Sequence, residues 1–183
     1  MSLPHLVLGI LKYGPMSGYD LNKAFQASVQ HFWNTEQSQI YRALYRLRED
    51  GWVAVEVVPQ ENAPNKKLYR LTDSGRAELH RWLAQPQPAP ALHEGWIGQL
   101  FFAAELDQAE LAHLLTARIA ALRAVLAVFD QTLPGNAAEY GRLYNAAADV
   151  PYWQWTIDYG RRKAQFDLEW ALETVARLHR EDN

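Results

Sequence analysis

Ser38, Gln39, Arg42 and Arg46 are spaced so that a helix running from about Glu36 to Asp50 would carry them on one exposed face. Their chemistry suits nucleic acid. Gln39 offers the paired donor and acceptor that match adenine, and Arg42 offers the forked donors that match guanine, both along the major-groove edge. Ser38, near the helix N-terminus, could instead meet a phosphate with help from free backbone N–H groups. Tyr41 and Tyr45 flank this face. Arginines on an isolated helix are commonly just a solvated surface, so the neighbouring elements must decide between the two readings. After Gly51 come WVAVEVV, then PQENAPNKK, then LYRLTD. Asn65, Lys66 and Lys67 end the loop, where they can reach backbone phosphates without reading sequence. Tyr19, earlier in the chain, is placed for another phosphate. Helix, strand, basic loop and strand is the order in which a winged helix presents itself to double-stranded DNA.

The elements needed to hold these residues are legible. Leu3, Leu6, Val7, Ile10 and Leu11 repeat at helical spacing up to Gly14-Pro15, which ends a first helix. Ser17 with Asp20 reads as a capping pair opening a second helix from Gly18 to about Gln30, with Leu21, Phe25 and Val29 inward. In the third helix Ile40, Leu44 and Leu47 face inward and Gly51 closes it. Trp52 to Val58 and Lys67 to Leu71 are β-branched and aromatic, predicting a two-stranded wing. Thr72 or Asp73 caps a fourth helix holding Leu79, Trp82 and Leu83. Residues 1–84 therefore form a winged helix-turn-helix domain, and the proline-rich stretch 85–91, QPQPAPA, is a linker.

Residues 92–183 read as helix alone, so the fold class is mainly α with a small β-wing. Asp107 and Glu110 cap a long helix with Leu111, Leu115, Ile119, Leu122, Leu126 and Phe129 on one stripe, which Pro134-Gly135 is expected to end. The last helix, from about Tyr152 to Arg180, carries a stripe of Trp153, Ile157, Gly160, Ala164, Leu168, Ala171, Val175 and Leu178. It carries a second row of Trp155, Tyr159, Phe166 and Trp170. Two apolar faces on one helix in a thin layer call for another subunit. We place the dimer seam on Trp153, Ile157, Ala164, Leu168, Ala171, Val175 and Leu178.

Composition bounds the alternatives. Of 183 residues, 49% are hydrophobic and 21% charged, as in an ordinary folded domain. No apolar run approaches the roughly 18 residues that span a bilayer, and MSLPHLVLGILKYG lacks the basic start of a signal peptide, so we expect a cytoplasmic protein without membrane contact. The absence of cysteine excludes disulfides. Net charge is -3, but residues 1–84 hold ten Lys/Arg and eight Asp/Glu, so the basic excess lies with the wing pattern. No H-x-x-x-H pair, G-x-S-x-G or phosphate-binding loop occurs, and Asp149, Asp158 and Asp167 rotate around a helix instead of converging. We therefore expect no enzyme, no catalytic residues, no metal and no cofactor.

The chain resembles the PadR family of bacterial transcriptional regulators across almost its whole length. The resemblance is carried by LGILKYGPMSGYDL, by FW followed by QSQIYRALYRLREDGW, and by KKLYRLTDSGRAELHRWL. Gly14, Ser17, Gly18 and Tyr19, then Ser38 to Tyr41, then Tyr69, Leu71-Thr72 and Gly75 are its most specific parts. QSQIY and LTDSGRAELHRWL look most like the branch containing the phenolic-acid repressor, and the second domain is similar in layout to the long subgroup. The resemblance implies a homodimer that represses a promoter until a small molecule binds, with C-terminal helices joining the subunits. Two-fold symmetry then implies an inverted-repeat operator.

The aromatic residues beyond residue 95 suit a flat aromatic effector such as a phenolic acid, or an amphipathic drug in a regulator of an efflux gene. We place that effector between the domains, near His5, Trp96, Trp155 and Arg161, although most of these aromatics are expected to pack a dimer core. A third reading is a winged-helix adaptor that contacts proteins and has no DNA affinity of its own.

Overall fold

The computed structural model describes residues 3–60, 65–88, 94–178 and 180. Part of the wing loop and the end of the expected linker, residues 89–91, lie outside them. Contacts divide the chain into two compact units, Met1–Gln87 with Gly135–Trp153, and Pro88–Pro134 with Gln154–Asn183. A stretch expected in the helical half, 135–153, thus groups with the winged helix.

In the first unit the helices are α1 (Leu3–Leu11), α2 (Gly18–Ser28), α3 (Gln37–Glu49) and α4 (Asp73–Leu83). Their apolar faces meet in one core in which Val7, Leu8, Leu21, Phe25, Ile40, Leu44 and Leu47 are essentially inaccessible to solvent. Removing such side chains from water is the main stabilising term. Ser17 caps α2 by accepting from the Asp20 backbone N–H at 3.1 Å. Thr72 caps α4 by accepting from Gly75 N–H at 3.1 Å. At the end of α3, Gly51 takes φ +73°. Its N–H bonds to the Arg48 carbonyl and that of Trp52 to the Leu47 carbonyl, a paired closure that needs the left-handed backbone glycine tolerates.

The expected two-stranded wing is a three-stranded antiparallel sheet. β2 (Val53–Val58) pairs with β3 (Lys66–Leu71) over the full length of both, and β1 (Met16–Ser17) pairs with the other edge of β3, Met16 opposite Tyr69 and Ser17 opposite Leu68. Two residues carry no period that could announce a strand. Gly75 lies against the β2 entrance so closely that a Cβ would sit 2.1 Å from the Trp52 carbonyl oxygen.

The second unit contains α5 (Gly95–Phe101), α6 (Gln108–Ala127) and most of α8 (Val150–Leu178). Asp107 and Glu110 form a complete capping box at the start of α6. Leu115, Ile119, Leu122, Leu126 and Phe129 are buried as their spacing predicts. Pro134-Gly135 does not end this helix. A π-helical segment, Val128–Thr132, leads into α7 (Leu133–Leu143), and the Leu133 N–H reaches back to the Val128 carbonyl. The wider turn admits the proline ring, which then sits in the first turn of α7, where its missing N–H matters little. By length and composition the resulting helix, Gln108–Leu143, could cross a membrane, contrary to the sequence expectation. Seven of its apolar residues, Leu115, Ile119, Leu122, Leu126, Phe129, Leu133 and Ala137, are buried.

On α8, Ile157, Ala164, Leu168 and Ala171 are buried, and Trp153, Val175 and Leu178 are half-buried. Gly160 lets the Phe129 ring approach, for a Cβ there would stand 2.5 Å from it. The row that stays open is the other one, with Trp155, Tyr159 and Phe166 about two-thirds exposed. The face expected to form a dimer seam is therefore largely the face the chain covers itself. Periodicity marks both stripes as apolar but does not say which of them packs internally.

Candidate nucleic-acid interface

Full burial of Ile40, Leu44 and Leu47 turns the opposite side of α3 outward, and Ser38, Gln39, Arg42 and Arg46 are all exposed there. None of these four forms an ion pair among the described residues. Arg46 and Arg48 lie in the last turn, where a cation is favoured by the helix dipole. Arg48 also stacks over the Tyr45 ring at 5.6 Å. At the other end, Glu36 occupies the cap position without a side-chain bond, leaving first-turn N–H groups beside Ser38.

Tyr41 is not on the open face. It is half-buried, and its ring and hydroxyl fill the space above Gly18, where an added Cβ would be 2.5 Å from the ring. Tyr41 holds the start of α2 against α3 and presents only part of itself outward. Tyr19 is two-thirds exposed. Asn65 and Lys67 are exposed at the loop end of β3. Lys66 is half-buried, and its ammonium lies 3.1 Å from Asp20 Oδ2. The same carboxylate oxygen accepts from the Ser17 hydroxyl at 2.7 Å. These two bonds, the serine first, hold the Asp20 carboxyl below its usual range. Sequence reasoning missed this junction because the unanticipated β1–β3 pairing is what brings Asp20 to the loop end of β3.

The segment 135–153 completes this unit. Lys12 Nζ donates to Asp149 Oδ1 at 2.6 Å. Tyr13 meets Trp153 edge-on at 5.8 Å and Tyr144 at 5.7 Å, and Asn136 donates to the Ala27 carbonyl at 3.4 Å.

The residues expected to surround an effector are each engaged locally. His5 is buried in the first unit, stacked on Trp82 at 5.0 Å and 2.9 Å from Glu78 Oε1. Trp96 lies in the second unit, its indole N–H donating to Glu94, its ring under the Arg118 guanidinium at 4.6 Å and edge-on to Trp170. Arg161 is paired with Asp130 at 2.7 Å. Trp155 is two-thirds exposed. Within the second unit, Trp96, Gln99, Leu100, Leu114, Leu115, Ala117 and Arg118 line an apolar crevice of about 180 Å³. Among the described residues the buried Nε of Arg118 has no hydrogen-bond partner, while its Nη2 lies 3.7 Å from Asp167 Oδ2. Among the described residues no group of three His, Cys, Asp or Glu could hold a metal ion.

Comparison with known proteins decides the lineage. Residues 7–81 match the family model of the transcriptional regulator PadR-like family, and residues 95–179 match that of the virulence activator alpha C-terminal domain. Over residues 7–81 the chain is similar to the PadR-like family. That family consists of transcriptional regulators, not enzymes. The chain is 44% identical over 86 residues to the probable transcriptional regulator Rv1176c of Mycobacterium tuberculosis. It is 35% identical over 113 residues to the negative transcriptional regulator PadR of Bacillus subtilis. These alignments cover 47% and 61% of this chain, and 46% and 62% of the relatives' own lengths. The crystal structure of Bacillus subtilis PadR in complex with operator DNA has a TM-score of 0.80 at 27% identity, covering 97% of this chain and 99% of that one. The same protein with p-coumaric acid gives 0.75 at 26% identity, covering 98% and 99%.

The His5–Glu78 contact makes a pH prediction. Arg81 and then His5 hydrogen-bond Glu78 and lower its carboxyl to about 2 from an ordinary 4.5. A carboxylate lowered on folding contributes stability that is complete above its unfolded value and is lost as pH falls through its folded one. Thermal melts should therefore show stability declining from about pH 4.5 towards 2, and Glu78→Gln should flatten the curve in that window. An unchanged slope in the variant would show that the contact does not hold α1 to α4.

Proposed function

We propose that the protein is a homodimeric, DNA-binding repressor that a small aromatic acid releases from its operator. The observation that carries this reading is the outward face of α3, with Gln39, Arg42 and Arg46 exposed on a scaffold that superimposes on a regulator crystallised with operator DNA. Gln39 and Arg42 read base edges, while Ser38, Tyr19, Asn65 and Lys67 meet phosphates and fix the register. Two-fold symmetry sets an inverted repeat with half-sites about 34–36 Å apart, or a multiple. A protein-interaction adaptor has less in its favour, because a cationic helix face and a basic strand at the wing suit phosphates better than apolar protein surfaces.

Dimerisation uses the exposed row of α8, Trp155, Tyr159 and Phe166, with Phe101 and Phe102, which are 81% and 70% exposed. Aromatic patches of that kind are expensive to leave in water and typical of an interface core. The effector reading draws on the apolar Trp96–Arg118 crevice, which suits a flat ring, and on the p-coumaric acid complex of the relative.

Mobility shift on the upstream intergenic region tests DNA reading. Arg42→Ala should cost about 1–3 kcal/mol on the operator and relax base preference, whereas Lys67→Ala should weaken operator and random duplex alike. Equal loss on both for Arg42→Ala would remove it from base readout. Sedimentation at micromolar concentration should give a dimer, and the double change Tyr159→Ala with Phe166→Ala should weaken it by about 2 kcal/mol or more. A monomeric parent protein would refute the interface. Titration with hydroxycinnamic acids should produce heat and dissolve the operator complex, and no heat with no release would remove the effector.

A further inference from the structure

We infer that Asp20 is a built-in counter-charge that limits the sequence-independent affinity of the wing for DNA. The inference rests on the proposed DNA-binding function and adds a residue role to it. β3 carries three cations, Lys66, Lys67 and Arg70, and two of them are neutralised within the fold. Lys66 pairs with Asp20 at 3.1 Å, and Arg70 pairs with Glu56 at 2.9 Å. Lys67 makes no ion pair among the described residues. The wing strand is therefore much less cationic than its sequence.

Asp20 is positioned for this task by structure that capping alone does not require. Pairing of Ser17 with Leu68 draws the start of α2 to the first turns of β3. The Asp20 carboxylate is then aimed at the Ser17 hydroxyl and at Lys66. Glu110, at the equivalent place in α6, completes a capping box with the Asp107 backbone N–H but makes no ion pair among the described residues. Both partners of the Asp20–Lys66 pair are nearly half exposed, at 47% and 42% of their side chains, so water screens the pair and it adds little to stability. Its effect lies outside the fold. The neighbouring Tyr19 is exposed on the side proposed to meet phosphates, so DNA arriving there meets a neutral pair instead of a free ammonium.

Counterion release makes this measurable. The logarithm of a DNA-binding constant falls with the logarithm of salt by about 0.9 for each phosphate neutralised. Whether Lys66 stays on Asp20 in the complex or moves to a phosphate and leaves Asp20 to collect a cation, the pair contributes no net release. Full-length protein should be titrated against a random duplex and against the upstream fragment between about 50 and 200 mM salt. Asp20→Asn retains an oxygen acceptor for Ser17 and should steepen both slopes by about 0.9, a gain of roughly 3–4-fold in the salt span of the binding constant. Lys66→Ala should make both slopes shallower by a similar amount. The double change, Asp20→Asn with Lys66→Ala, should return the parent slope and decides the matter even if one single variant folds poorly. A double variant as shallow as Lys66→Ala alone would show Asp20 to be a bystander, as would an unchanged slope in Asp20→Asn. Failure of the parent protein to bind either duplex would instead refute the DNA-binding reading itself.

Discussion

Complete burial of one side of α3 is the constraint that shapes the rest of the surface proposed to face DNA. Ile40, Leu44 and Leu47 are inaccessible, and a helix cannot hide those positions without turning residues 38, 39, 42 and 46 the other way. The rotation of α3 about its axis is thus set by hydrophobic burial, not by the arginines. Its translation is set at both ends. Tyr41 packed over Gly18 fixes the approach of α2, and the glycine closure at Gly51 delivers the chain directly into β2. The polar face is free to vary chemically because none of its members is needed to hold the helix in place.

The same economy appears at the start of α2. Four consecutive residues serve four purposes: Ser17 caps the helix and pairs with β3, Gly18 admits Tyr41, Tyr19 stays exposed, and Asp20 joins Lys66. Segment 135–153 adds a further hold on α1 and α2 through Asp149, Tyr144 and Asn136. That segment is continuous in the chain with α6 on one side and α8 on the other.

What the sequence made legible is what local rules govern. The caps at Ser17, Thr72 and Asp107, the bounds of α3 and the inner stripe of α6 are all set by spacing and side-chain chemistry within a few residues. The rest depended on partners distant in sequence. β1 is two residues long and exists only because β3 lies beside it. The passage through Pro134 depends on a π-helical turn that no composition signals. His5 and Arg161 were expected beside an effector, but Glu78 and Asp130, distant in sequence, engage them. On α8 two apolar rows were visible, and only the seat of Phe129 at Gly160 identifies which of them packs inward.

An overall negative charge does not contradict the DNA-binding function proposed above. Charge acts locally within about 8–10 Å at physiological salt, so the net charge of -3 decides less than the charges standing around α3. What matters is how many cations near the wing remain uncompensated, and there the fold removes charge by pairing. A regulator gains from this arrangement. In the function proposed above, base-edge contacts by Gln39 and Arg42 discriminate among sites, whereas every unpaired lysine raises affinity for all of them equally. Neutralising cations on β3 while leaving those on α3 exposed shifts the balance of binding energy towards the residues that read sequence.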